Sequence, residues 1–369
     1  MSRNPRPVPW TAAVLGVAMV VGACSPGTTS TTTTSGPTTS VPAETTTTVP
    51  QTTTTTSGST PSTTLASEET VTVLLAPFSE LGPEWSEQFF PYGEGEEFLG
   101  TSPGGEGLML GPEYGTQTTD GTWWFFDAAS LRVAHFGDDG TYIDQVLIPD
   151  ELLVDGIYFQ YQMPQALDDG SIAAAGFRGE ETMALLRIVQ RAASGTTFDA
   201  AVPWVTTDGE FLYGYGIDDS APYRLDPDDP IAEQLEWFGA RDGSRYRVTV
   251  IEDEVLVELP DSGLTRTLQM RFSEDPEVTA RAGIEVETGG DGTVFILFYG
   301  SPLSDESLGI GGIVTIGPDG TVGEAEPIVD PFSPSDPGSP AHLGVTPGTS
   351  TPWMMVVGED GVHVFTRDG

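Results

Sequence analysis

Asp120-Gly121-Thr122-Trp123-Trp124-Phe125-Phe126-Asp127, followed by Leu131-Arg132-Val133-Ala134-His135-Phe136 and then Gly137-Asp138-Asp139-Gly140, is the stretch that decides the fold. It reads as turn, strand, strand, turn. Asp-Gly between apolar runs signals a hairpin, because a tight turn needs a residue that tolerates positive φ at its centre. A third strand follows over residues 142–148. Short apolar runs with no helical period begin a β-meander.

The same texture continues through the chain from Glu68 onward. Asp-Gly recurs at Asp120, Asp139, Asp155, Asp169, Asp208, Asp242, Asp291, Asp319, Asp360 and Asp368. Residues 122–126 and 293–299 are nearly continuous apolar runs, as in strands buried on both faces. Val255, Val257 and Leu259 alternate with Glu254, Leu256 and Glu258, a half-buried pattern. Residues 184–191 have the composition of a helix but also read as a strand. Units like that at 119–148 begin near Leu167, Thr206, Gly243, Gly289 and Gly348. Repeats of about 40–50 residues, each with four short strands, are the signature of a propeller. Six units fit best.

Within that first unit Asp127, Arg132, Val133 and Phe136 follow the pattern Asp-x-x-x-x-Arg-Val-x-x-Phe, which resembles repeats of bacterial six-bladed propellers of the NHL and TolB-like kind. The resemblance implies a fold and no activity. The expected architecture is all-β, a propeller of six four-stranded antiparallel blades over residues 68–369. Two β-sandwich domains are the competing fold. A ring left open would expose unpaired backbone along an edge. Residues 70–76 (Thr-Val-Thr-Val-Leu-Leu-Ala) are expected to close it by pairing, in the last blade, with the strand at residues 362–366.

The chain's beginning has a different character. Arg3 and Arg6 precede an apolar stretch from Trp10 to Ala23, which ends Val21-Gly22-Ala23-Cys24. This is the layout of a secretory signal, and its end resembles the bacterial lipobox. The resemblance implies cleavage between Ala23 and Cys24 and lipid on the Cys24 thiol. An ordinary cleaved signal and an uncleaved anchor are the alternatives, although the run is shorter than the ~20 residues that span a bilayer. Residues 1–23 are thus read as a signal peptide. Residues 24–67 are read as a disordered Thr/Ser/Pro-rich stalk, with almost nothing apolar to offset the entropy of ordering.

Composition narrows the partners. The formal net charge is −41, with 14 positive side chains, all Arg. Phosphate backbones are bound by displacing their counterions with Lys and Arg, so nucleic acid is excluded as a partner. With Cys24 its only cysteine, the chain has no intramolecular disulfide.

Catalytic motifs are weak throughout. Gly100-Thr101-Ser102-Pro103-Gly104 has the letters of a nucleophile elbow, but Pro103 lacks the N–H that an oxyanion hole requires. His135 and His363 lie in strand patterns, and His342 in a Pro/Gly-rich loop. The acidic pairs Asp138-Asp139, Asp168-Asp169 and Asp218-Asp219, and the run from Asp226 to Pro230, offer oxygen to Ca²⁺ without the spacing of a calcium loop. Tyr158, Phe159 and Tyr161, and Phe211, Tyr213 and Tyr215, are candidate aromatic patches. Gly309-Ile310-Gly311-Gly312 precedes a strand and carries no Lys, so it is not a phosphate loop. No residue is assigned a catalytic role, and no cofactor is expected. The function expected is that of an exported, membrane-anchored propeller that binds or scaffolds an extracellular protein or ligand. The alternative is a Ca²⁺-dependent propeller hydrolase or lactonase.

Overall fold

Apolar runs of five to seven residues broken by Asp-Gly are too short for helices and suit strands that turn back on themselves. The computed structural model describes residues 67–368 apart from 104–108, 111, 113, 128, 150–160, 178–182, 199–204, 216–221, 227–231, 252–253, 306 and 331–341. The described residues form strands and turns and no helix. Asp155, Asp218, Asp219, Tyr158 and Phe159 lie outside them, as do Ala23, Cys24 and the rest of residues 1–66.

The described chain enters as β1 (Ser67–Pro77) and β2 (Trp85–Pro91), then makes a small hairpin, β3 (Ser102–Pro103) with β4 (Met109–Leu110). Three four-stranded antiparallel meanders follow. The first is β5 (Gly115–Gln117), β6 (Trp123–Asp127), β7 (Arg132–Phe136) and β8 (Tyr142–Leu147). The second is β9 (Tyr161–Ala166), β10 (Ile172–Phe177), β11 (Met183–Val189) and β12 (Ala192–Phe198), and the third is β13 (Thr206–Thr207), β14 (Leu212–Tyr215), β15 (Pro222–Leu225) and β16 (Ala232–Gln234). An eight-stranded sheet holds β17 (Phe238–Gly239), β18 (Arg245–Ile251), β19 (Glu254–Leu259), β20 (Leu264–Phe272), β21 (Asp275–Thr288), β22 (Val294–Pro302) and β23 (Ile310–Ile316), and β1 joins it. The last four-stranded sheet runs β24 (His342–Val345), β25 (Pro352–Val357), β26 (Gly361–Arg367), with β2 outermost.

The sheets are arranged as in a propeller. Five strands, one from each of the larger sheets, meet in a circle: β5 lies against β9, β9 against β13, β13 against β21, β21 against β24, and β24 against β5, while β17 lies against β14. The core sits between successive sheets. Trp123 and Phe125 pack toward the last sheet with Phe90, Trp353 and Val364, while Trp124 and Phe126 pack toward the next with Ile172 and Leu186. Successive side chains of a strand point to opposite faces. A strand with a neighbour on each face is therefore apolar throughout, which accounts for the run Trp123–Phe126.

The turns share one construction. In the link from β5 to β6, Thr118 N–H donates to Thr122 O (2.9 Å) and Gly121 N–H to Thr118 O (2.9 Å), with Gly121 at φ 84°. This is a three-residue loop with only the glycine left-handed, not a two-residue turn with both central residues at positive φ. The aspartate takes a second role, as an acceptor. Asp169 Oδ1 accepts from Ser171 N–H (2.8 Å) and its hydroxyl (2.6 Å), and Asp242 Oδ1 likewise grips Ser244 (2.9 and 2.5 Å).

Ring closure differs from the expectation in its strand. Residues 70–76 do form a strand, but β1 pairs in parallel with β20 (Val71↔Leu268, Leu75↔Phe272) and then briefly with β23 (Ala76↔Gly311). The edge of β26 is taken by β2, with Phe90 opposite Val362 and Trp85 opposite Arg367. Fit decides between them. The alternating Val73 and Leu75 fill the core beside Val255, Val257 and Leu268. Phe90, fully buried, meets the rings of Phe125 at 4.6 Å and Phe136 at 5.3 Å.

Candidate functional site

The innermost strands bring together polar side chains that are far apart in the sequence. On β21, Glu285 and Glu287 are two residues apart and so share a face. Glu285 Oε2 accepts from Leu343 N–H (2.7 Å) and lies 3.3 Å from His342 Nδ1, both on β24. Glu287 Oε1 accepts from Gln165 Nε2 of β9 (2.8 Å), and its Oε2 accepts from the Thr206 hydroxyl of β13 (3.0 Å). Gln165 Nε2 also donates to Val205 O (3.2 Å). The His342 ring stands edge-on to Tyr114, just before β5, and to Trp353 of β25, at 5.7 and 5.5 Å. Trp353 comes this close because Gly344 opposite it has no Cβ; one built there would run into the indole.

All five polar residues of this cluster are buried, Glu285 and Glu287 being 5% and 7% exposed. Burial disfavours the charged form. It pushes the Glu287 carboxyl up to about 7, against the opposing pull of His342, Gln165, Thr206 and Arg241. Near neutral pH this acid is therefore about half protonated. Two carboxylates whose oxygens are engaged by donors from neighbouring sheets act as cross-links between blades. Among the described residues no three His, Cys, Asp or Glu gather in a way that could hold a metal ion.

One end of the sheets carries the aspartate turns at 118–122, 167–171, 207–211, 240–244 and 289–293. There Arg241 pairs with Asp168 (2.6 Å) and donates to Ala166 O (2.6 Å), tying two turns together. The acidic pairs Asp138-Asp139 and Asp168-Asp169 are turn residues, and Asp226 directly follows β15.

The three histidines do not converge. His135 on β7 stacks on Trp124 at 3.9 Å and bonds Asp144 at 3.0 Å, and burial, helped by Arg191, pushes it down to about 4. His363 on β26 lies at the surface between Glu87 (2.6 Å) and Asp360 (3.2 Å). His342 belongs to β24, not to a loop, and only it joins the cluster.

The remaining described candidates lie in strands and the turns between them. Ser102 lies in strand β3, opposite Leu110 of β4. Tyr213 is buried and donates to Asp208 (2.6 Å), while Phe211 lies under the Arg224 guanidinium at 4.5 Å. Tyr161 and Tyr215 sit in β9 and β14. Gly311, the second residue of β23, lies under Phe78 and Ile328, where a side chain would not fit. Asp127 and Arg132, which carried the propeller resemblance, form a buried ion pair at 2.9 Å. Asp127 also accepts from Gly100 N–H (3.0 Å), and Arg132 donates to Glu96 O (3.0 Å), Gln145 (2.7 Å) and Phe98 O. The pair thus fastens the segment after β2 onto the first meander.

Residues 83–367 match the family model described as Domain of unknown function (DUF7485). The chain belongs to that family. The DUF7485 match begins two residues before β2 and ends at the last residue of β26, the two strands that close the ring. It leaves β1 outside. No curated protein matches the sequence. Among solved structures, the chain is similar to an inactive virginiamycin B lyase from Staphylococcus aureus crystallised with quinupristin (13% identity, TM-score 0.38, 76% of this chain and 99% of that one). It is also similar to a protein of unknown function from Bacteroides thetaiotaomicron (12%, 0.44, 76% and 75%) and to a luciferin-regenerating enzyme (12%, 0.38, 70% and 93%). At these scores the fold is read from the chain's own sheets.

Proposed function

We propose that this DUF7485 protein is an exported lipoprotein, held at the outer face of a membrane through Cys24, whose propeller is a binding or scaffolding module for an extracellular protein or ligand. The observation that carries the binding reading is the state of the axial acids. A propeller hydrolase needs carboxylates open to substrate or metal. Here Glu285 and Glu287 are buried and already bonded to Leu343, Gln165 and Thr206. Ca²⁺ takes six to eight oxygen ligands, and this cluster offers it no open set. Residues 24–66 act as the spacer between lipid and domain.

Six blades are the count this reading adopts, with the eight-stranded sheet taken as two. β17–β20 form one blade with β1 added at its edge; β21–β23 form the other, its outer edge capped by the bridges Ile313↔Glu326 and Ile316↔Val322. Five aspartate turns and the related turn at 346–351 then give each blade one link of the same kind between its first two strands.

Calorimetric titration of the purified protein with CaCl₂, alongside assays on a panel of esters and lactones, tests the binding reading. Neither saturable heat nor turnover is expected. Turnover that is lost in both Glu285→Gln and Glu287→Gln would replace it with the hydrolase.

A further inference from the structure

β1 is a strand added to a blade that already has four. It runs parallel to β20 over nine residue pairs, from Ser67↔Leu264 to Leu75↔Phe272. Its start is fixed beside the turns: Ser67 N–H donates to Gly263 O (3.1 Å), Arg266 Nη1 to Ser67 O (3.2 Å), and Arg266 Nε to Gly320 O (2.8 Å), with Glu69 3.5 Å from the same guanidinium. Its end is fixed by Ser273 N–H donating to Leu75 O (2.9 Å). Between these, Val73 and Leu75 are buried in the core, while Thr70, Thr72 and Leu74 face outward. The chain then passes Ser79, whose N–H donates to Ile328 O (3.0 Å), and becomes β2, the closing strand.

The direction of this strand has a mechanical meaning. Tension arriving from the N-terminal side pulls β1 along its own axis. Load in that direction spreads over the whole ladder at once, whereas load across a strand opens bonds singly. Without β1 the same tension would fall on β2, whose pairing with β26 keeps the ring shut. We propose that β1 is a force-bearing clamp that isolates the ring-closing strand from tension on the tether. The proposal rests on the tethered reading for its purpose, but its mechanics do not depend on lipid. That β1 lies outside the family match fits an element added to the propeller for attachment.

The test applies constant force in optical tweezers to the chain from Cys24 onward. One DNA handle is on Cys24. The other is on Leu303→Cys, an exposed position in the turn from β22 to β23, so that the load runs along β1. A second protein carries Cys24→Ser and Ser79→Cys, so that force enters beyond β1. The Cys24-loaded protein is expected to stay folded at least about tenfold longer at equal force, the factor that one or two net hydrogen bonds supply. Adding Val73→Ala and Leu75→Ala should remove the difference. Equal lifetimes for the two attachment points overturn the clamp. Membrane is absent from the measurement, so its failure is separate from failure of the lipid anchor, which shows in cell fractionation alone.

Discussion

Breaking the buried pair on the first meander should cost this propeller much of its stability. Asp127 is 0% and Arg132 5% exposed at the side chain. Asp127→Asn removes the charge and leaves the guanidinium buried with no counter-charge, a change that costs about 3–5 kcal/mol. Domains are stable by about 5–15 kcal/mol in total, so the loss is a large fraction. Arg132→Met should cost as much or more, because Glu96 O and Phe98 O, in part-buried bonds, also lose a donor, at about 0.5–1.5 kcal/mol for each bond lost. The double variant has no uncompensated charge. Its loss should fall short of the sum of the single losses by about 2 kcal/mol. Urea unfolding followed by fluorescence is the assay, since Trp123 and Trp124 lie on the adjacent strand. With a slope of about 3 kcal/mol per M, Asp127→Asn should move the midpoint down by about 1–1.7 M, and Arg132→Met by at least as much. A shift under about 0.3 M, or strict additivity in the double variant, would show that the pair is not the clasp described above.

The Glu287 carboxyl stands at about 7 in the folded protein against an ordinary 4.5. Below pH 4.5 it is protonated in both states; as pH rises to 7 only the unfolded state releases its proton, so stability should fall by about 3 kcal/mol over that window. Melting temperatures of wild type and Glu287→Gln between pH 4.5 and 8 check this, and the variant should respond more flatly. Phe90→Ala should cost about 3–5 kcal/mol through the cavity left at the ring closure, a loss that denaturant titration will register. Cys24→Ala should move the protein from the membrane fraction to the soluble one or stall its processing; unchanged retention and gel mobility would remove the lipid anchor.

The strands were legible because their punctuation is local. Asp-Gly with a following Thr or Ser carries both the left-handed residue and the acceptor that closes the loop, so the turns of the meanders could be found without knowing what they packed against. The closing strand could not be found this way. Trp85-Ser86-Glu87-Gln88-Phe89-Phe90-Pro91 has three polar residues in its middle and a proline at its end. The neighbouring residues 70–76 alternate more cleanly and drew the assignment. Only packing against Trp123 and Phe125 separates the two. The axial cluster was invisible for a different reason. Gln165, Thr206, Glu287 and His342 are 41, 81 and 55 residues apart in turn along the chain. Within each strand these polar residues look like solvent-facing positions. His342 was hidden further by the prolines and glycines around it, which suggested a loop where β24 begins.

The seam where β2 meets β26 also orders events in time. Glu84 O accepts from Asp368 N–H at 2.7 Å, so residues 284 positions apart in the sequence meet. Each meander can form as soon as its own strands leave the ribosome, since its pairings are local. The last sheet cannot. Its outer strand β2 is made early and its partner β26 is the last described strand to be made, so Phe90 stays without its partner strand until β26 emerges. During that interval β2 is an unsatisfied edge, and the β26 of a second copy matches it as well as the chain's own. Crowded synthesis therefore favours strand exchange between molecules at this seam.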